Sequence, residues 1–199
     1  MATAAATAKK PGRAPLGVVI GLEPRALDAR AIGDADPDVR TAALGTVLSR
    51  EGSATALLEP IAARLRDRHE TEDNRLLAAH ALGRAKPLPV DALVDGLARW
   101  QGPKVRAAAA TSLIAEEGAA AEASEPLARC LLAGDGTVRM QSVLALRGIG
   151  APAVEHVVKV VDEAEKFDIT RMSGLDALGF IGVDQRGSLD LATRLSEEA

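Results

Sequence analysis

Small, apolar and cationic positions recur along the chain at a stride of about 33 residues. An arginine marks each copy, at Arg40, Arg75, Arg106, Arg139 and Arg171. Three residues later stands a small residue, at Ala43, Ala78, Ala109, Ser142 and Gly174. Seven residues after each arginine stands an aliphatic residue, at Val47, Leu82, Leu113, Leu146 and Leu178. Residues three and four apart share a helix face, so the pattern predicts closely packed helices in a stacked array.

Helix-start signals precede the arginines. The clearest is Asp36-Pro37, because aspartate caps free N–H groups and proline is tolerated at the first helical position. Gly102-Pro103 and Asp135 occupy comparable places. We therefore predict a first helix in each repeat, at residues 38–49, 73–84, 103–116, 136–148 and 168–180.

A break and a second helix follow each first helix. Gly52, Pro87 and Gly150 are among the residues that mark the breaks. Apolar spacing then predicts second helices at residues 54–67, 90–100, 121–132 and 154–165, with a short one at 188–197. Residues 23–32 predict an unpaired helix that covers the first repeat.

The repeat resembles the HEAT repeat, and more narrowly the short bacterial kind named after phycobilisome lyases. The resemblance rests on segments such as Asp36-Pro37-Asp38-Val39-Arg40 and covers roughly residues 34–182. It implies an all-α fold, a right-handed α-solenoid of about five antiparallel helix pairs with a short N-terminal cap. In that family the second helices line the concave side.

The predicted organisation has three parts. Residues 1–13 form a flexible basic arm, residues 14–33 a cap, and residues 34–199 the solenoid. The repeats are expected at residues 34–68, 69–101, 102–133, 134–166 and 167–199. No apolar run approaches the roughly 20 residues that span a bilayer, and the N-terminus lacks a convincing signal-peptide cleavage site.

Composition and charge narrow the class of function. Aromatic residues make up 2% of the chain, which disfavours a sheet sandwich. Of 24 basic and 28 acidic residues, three basic ones lie in residues 1–22, so the remainder carries 21 minus 28, or −7. An acidic body is a poor match for nucleic acid. The single cysteine, Cys130, forms no internal disulfide, and we expect a cytoplasmic protein.

Motifs for catalysis and metal binding are not found. His69, His80 and His156 are scattered and lack recurring adjacent carboxylates, so they do not predict a metal cage. The run Asp34-Ala35-Asp36-Pro37-Asp38 lacks the glycine and the distal glutamate of a calcium loop. Cys130 has no evident neighbouring base. The sequence predicts no catalytic residue, no metal and no cofactor.

The five repeat arginines have two interpretations. A row of cations is able to bind phosphates or an acidic partner. We favour a structural role, in which each guanidinium pairs with the helix-start aspartate of its own or an adjacent repeat.

Charged residues of both signs on the second helices predict a protein-binding surface, because mixed charge suits an ion-paired protein contact better than a nucleic-acid track. Trp100 either anchors the partner or covers the seam to the third repeat. A solvated face with no partner is the alternative for the charges. The predicted partner-binding residues are Arg64, Asp91, Asp95, Arg99, Trp100, Glu122, Arg129, Glu155 and Lys159.

The leading hypothesis is a non-enzymatic scaffold or adaptor, or a subunit of a larger assembly, that binds another protein through its concave surface. The resemblance implies one alternative, a phycobilin-lyase-like subunit that handles a chromophore. A further alternative is a DNA-binding or repair protein similar to the HEAT-like alkylpurine glycosylases. The shortage of aromatic residues disfavours both, and the acidic body also disfavours DNA.

Overall fold

The computed structural model describes residues 29–114, 120–164 and 168–182, and every regular element in these ranges is helical. The α-helices are α1 (Pro37–Ser49), α2 (Ser53–Ala56), α3 (Leu58–Arg66), α4 (Glu72–Leu82), α5 (Val90–Gly96), α6 (Pro103–Leu113), α7 (Ser124–Cys130), α8 (Gly136–Ile149), α9 (Val154–Glu163) and α10 (Ile169–Gly182). The 3₁₀ turns Ala121–Ala123 and Ala151–Ala153 precede α7 and α9. The predicted all-α class is confirmed for these ranges.

Several predicted segments lie outside the described residues. They are the arm at 1–13, the cap up to residue 28 and the last helix at 188–197. Residues 29–32 of the predicted covering helix are helical. None of the helices in the described ranges combines the length and the apolarity needed to cross a membrane.

The five longer helices begin and end within three residues of the predicted first helices. Local capping explains the agreement. The Asp36 side chain accepts a hydrogen bond from the backbone N–H of Asp38 at 2.9 Å, and Pro37 opens α1. The Thr71 hydroxyl caps α4 by accepting from the N–H of Asn74, and Asp135 caps α8.

The predicted second helices are shorter and more broken than expected. Residues 54–67 divide into α2 and α3, and Pro60 explains the division, because it has no N–H to bond the carbonyl of residue 56. α5 ends at Gly96, although the apolar pattern continues to residue 100. After Gly96 the chain turns through shorter-range bonds, such as Gln101 N–H to the Ala98 carbonyl at 3.0 Å.

Two series of helix contacts organise the chain. α1, α4, α6, α8 and α10 contact one another in chain order. The second series consists of the shorter helices. In it α3 contacts α5, α5 contacts the 3₁₀ turn before α7, and α7 contacts α9. The two series meet where α3 packs on α4, α5 on α6, α7 on α8 and α9 on α10. A single cluster of buried apolar side chains runs through these contacts.

The periodic positions of the sequence form much of this core. The aliphatic position is at most 3% exposed in every copy, from Val47 to Leu178. The small position allows close approach, as α10 shows: a Cβ added to Gly174 would stand 2.2 Å from Cγ2 of Val161 in α9. The predicted use of small residues for close helix packing is therefore seen directly in the contacts.

Candidate partner-binding surface

The predicted partner-binding residues lie on the second helices of the predicted repeats or directly beside them. Most of their side chains are exposed, while Arg64, Asp95 and Trp100 are partly buried. We call this set the second-helix surface: Arg64 in α3, Asp91 and Asp95 in α5, Arg99 and Trp100 just after α5, Glu122 before α7, Arg129 in α7, and Glu155 and Lys159 in α9.

Four members of this surface surround one cavity. Arg99, Arg129, Glu155 and Lys159 line a space of about 390 Å³ between α7 and α9. His156 lines the same cavity, and the sequence had given it no role. Side chains with charges of both signs therefore line one cavity.

A second cavity of about 580 Å³ lies between α3 and α5. Asp91 and Glu122 stand at it, and its apolar wall includes Leu58, Leu88 and Val90. The loop 87–89 completes this wall, and the sequence had marked that loop only as a helix break.

Contacts within the protein engage three members of the surface, namely Asp95, Arg64 and the cavity-lining Arg129. Asp95 accepts a hydrogen bond from Nε of Arg66 at 2.5 Å. Arg64 lies 3.5 Å from Asp67 and 3.7 Å from Glu70. Arg129 pairs with Glu125 at 2.6 Å, but both side chains are more than half exposed, so this pair contributes little stability and exchanges easily with a ligand.

Trp100 packs against two arginines. The guanidinium of Arg68 lies 5.2 Å from the ring centroid and that of Arg75 lies 5.3 Å from it. The ring is thus engaged by cations from α4 and from the turn before it, at the seam between two predicted repeats. These two contacts lie at the junction of the first and second predicted repeats, whereas the seam considered from the sequence is the one to the third repeat.

Three of the repeat arginines, Arg40, Arg75 and Arg139, use acceptors other than those that we predicted. Arg40 binds the carboxylate of Glu70, where the sequence predicted a helix-start aspartate. Arg75 donates to the carbonyl of Glu70 at 2.6 Å, and Arg139 donates to the carbonyl of Ala133. The helix-start aspartates are occupied differently, since Asp36 and Asp135 cap backbone N–H groups. For these three arginines the predicted acceptor was wrong, and Asp36 and Asp135 instead satisfy the N–H groups of their own helix ends.

Arg106 differs from these three. Its Nη2 donates to Sγ of Cys130 at 3.4 Å, and its buried Nε has no acceptor among the described residues. Arg106 also lines a cavity of about 340 Å³ together with Arg99 and Arg129. We call the space around these three arginines the arginine cleft.

The carboxylate of Glu70 is the most strongly perturbed acid in the described residues. Burial alone raises its pKa, but hydrogen bonds from Arg40, Asn74 and the N–H of Thr71 outweigh burial and lower the pKa to about 2. The same contact raises the pKa of Arg40. Glu70 lies in a turn outside the periodic positions, so the repeat pattern gives no signal for it.

No family model matches the chain, and no curated protein matches it either. The resemblance to HEAT repeats therefore rests on the repeat residues themselves.

The candidate metal and catalytic residues are dispersed. Within the described ranges no three side chains of His, Cys, Asp or Glu come together as a metal ion would need. His69 and His80 are exposed in different elements. Cys130 is buried, and its Sγ lies 3.9 Å from the carbonyl of Leu97. Asp34 and Asp36 accept hydrogen bonds from backbone N–H groups two residues on.

Proposed function

We propose that the protein is a non-enzymatic scaffold or adaptor that binds another protein through the second-helix surface. One observation carries the proposal: Arg99, Arg129, Glu155 and Lys159 present both signs of charge around a single cavity. Such a mixture provides register and selectivity for a protein surface, because like charges repel wrong partners.

The proposal includes the architecture. We infer a right-handed α-solenoid of HEAT-like helix pairs, in which the second helices face the concave side. Support comes from the two contact series, since each longer helix contacts the preceding and the following longer helix. In a solenoid each repeat contacts only its neighbours, and the surface between the ends is long and continuous.

The binding surface combines polar and apolar patches in the way that protein interfaces do. Around the 580 Å³ cavity, Leu88 and Val90 supply apolar area beside Asp91 and Glu122. Around the 390 Å³ cavity, Leu132 is 45% exposed between charged neighbours. A partner segment would place apolar side chains in these cavities. Its charged side chains would form ion pairs with the second helices around them.

Chromophore handling and DNA binding draw less support from the same surface. Both need free aromatic faces for stacking. The ring of Trp100 is already engaged by Arg68 and Arg75. Carboxylates also alternate with cations around the cavities, whereas a duplex needs a basic track.

Site-specific photocrosslinking in cells that make the protein tests this function. A photoreactive amino acid replaces Asp91, Glu155 or Lys159 on the second-helix surface, or Thr111 or Met140, which are exposed on first helices. We expect one protein to crosslink to the three second-helix positions and not to the other two. Equal crosslinking from both sets, or none from the second helices, contradicts the proposal.

A further inference from the structure

The arginine cleft concentrates positive charge in a chain whose formal net charge is −4. Arg99, Arg106 and Arg129 line its cavity of about 340 Å³, together with Leu132, Ala133 and Gly134. The same three arginines line the adjoining cavity of about 490 Å³ next to Pro126. Guanidinium groups from α6, from α7 and from the segment after α5 thus converge on one place.

Two of these guanidiniums have no oxygen acceptor in the described residues. Arg106 reaches only the sulfur of Cys130, which is a weak acceptor, at 3.4 Å. Its counterparts Arg75 and Arg139 donate to backbone carbonyls instead. Arg99 is exposed and makes no ion pair within the described ranges. Their charge is therefore available to something from outside.

The carboxylates that line the cleft do not neutralise the positive charge of its three arginines. Asp95 lines the larger cavity, but Arg66 already holds it at 2.5 Å. Glu125 is the remaining carboxylate there, and it pairs with Arg129 in an exposed contact. Within the 340 and 490 Å³ cavities, three guanidiniums thus face one carboxylate that is not paired elsewhere. Glu155 and Glu163 line the neighbouring 390 Å³ cavity, where Lys159 accompanies Arg99 and Arg129.

We propose that the arginine cleft is a binding site for an oxyanion, a carboxylate or phosphate group carried by a ligand. Arginine suits this role because its planar fork donates two parallel hydrogen bonds to either group. Gly134 leaves the wall open, and the exposed Leu132 meets the carbon part of the ligand. Arg99 and Arg129 also belong to the second-helix surface, but the site does not require a protein partner, since a free small molecule and an acidic segment of a protein carry the same group.

Isothermal titration calorimetry at low salt tests the site with three probes on the full chain. The probes are inorganic phosphate, succinate and a short peptide with two glutamates, whose glutamine counterpart is the peptide control. Arg99→Gln and Arg129→Gln remove exposed guanidiniums, so both variants are expected to fold, and circular dichroism checks this. Lys104→Gln removes one exposed positive charge from α6 outside the cleft and is the matched control.

We expect at least one probe to bind the native chain. Its Kd should rise about tenfold in each arginine variant and change less than about twofold in Lys104→Gln. Binding of phosphate or succinate identifies a free oxyanion as the ligand class. Binding of the glutamate peptide alone identifies a protein segment. The proposal is overturned if no probe binds, or if Lys104→Gln weakens binding as much as the arginine variants do, because that result reflects general electrostatics.

Discussion

Arg40 in α1 and Glu70 before α4 form a bidentate ion pair that joins the first two predicted repeats. Nε donates to Oε2 at 2.6 Å, and Nη2 donates to Oε1 at 2.8 Å. Asn74 and the N–H of Thr71 donate to the same carboxylate at 3.0 and 2.9 Å. The Glu70 side chain is 0% exposed and that of Arg40 is 11% exposed. Four donors therefore compensate one buried charge at the junction.

Glu70→Gln is expected to lower the free energy of unfolding by about 3 kcal/mol, because it leaves the Arg40 guanidinium without its counter-charge in a largely buried place. Urea denaturation followed by circular dichroism measures the loss. Glu59→Gln removes an exposed carboxylate from α3 and is the matched control, with an expected change below about 0.5 kcal/mol. Equal effects of the two substitutions contradict a structural role for the pair.

The same carboxylate predicts a loss of stability in acid. Its pKa is about 2 in the folded protein and 4.5 ordinarily, so the unfolded chain takes up the proton first. The stabilisation is therefore complete above about pH 4.5 and is lost as the pH falls towards 2. The difference between the two pKa values corresponds to at most about 3 kcal/mol of stability.

Urea unfolding at pH 6 and at pH 3 measures this dependence. Other acids also titrate in the interval, so the informative quantity is the difference between the native chain and Glu70→Gln. We expect the native chain to lose more stability between the two pH values than the variant. Parallel losses show that the Glu70 carboxylate does not titrate as its contacts require.

Local signals made the first helices predictable. Asp36 and Asp135 cap helices through bonds to N–H groups two or three residues away, and such bonds depend on neighbouring sequence alone. The second helices were less predictable. At Gly96 an added Cβ would stand 2.8 Å from Cβ of Ala109, so the place where α5 ends reflects close packing against α6.

The acceptors of the repeat arginines could not be read from periodicity. Glu70 lies 30 residues from Arg40 and is not repeated in the other copies. Arg106 occupies the same repeat position as Arg75, yet only the fold shows that it turns towards Cys130 and the arginine cleft. Periodicity identifies the positions that build the core, but a side chain's partner depends on the turns that fold back onto it.

Two glycines of α10 provide a matched test of helix packing. A Cβ at Gly174 would stand 2.2 Å from Cγ2 of Val161, whereas a Cβ at Gly179 would meet nothing within 4 Å. We expect Gly174→Ala to destabilise by about 1–3 kcal/mol through overpacking, and Gly179→Ala to stabilise by about 0.5–1 kcal/mol because alanine favours the helix. Thermal unfolding compares them. A Tm change of the same sign in both contradicts the close packing of α9 and α10.

Cys130 is 1% exposed, so its thiol should react only when the structure opens. We expect an aromatic disulfide reagent to label the native chain at least about a hundredfold more slowly than the urea-unfolded chain. The matched control is Leu132→Cys in a Cys130→Ala background, because residue 132 is 45% exposed two positions away. The thiol at position 132 should react at a rate close to that of the urea-unfolded chain. If Cys130 reacts as fast as the control, then α7 is not held against its neighbours, and the arginine cleft loses one wall.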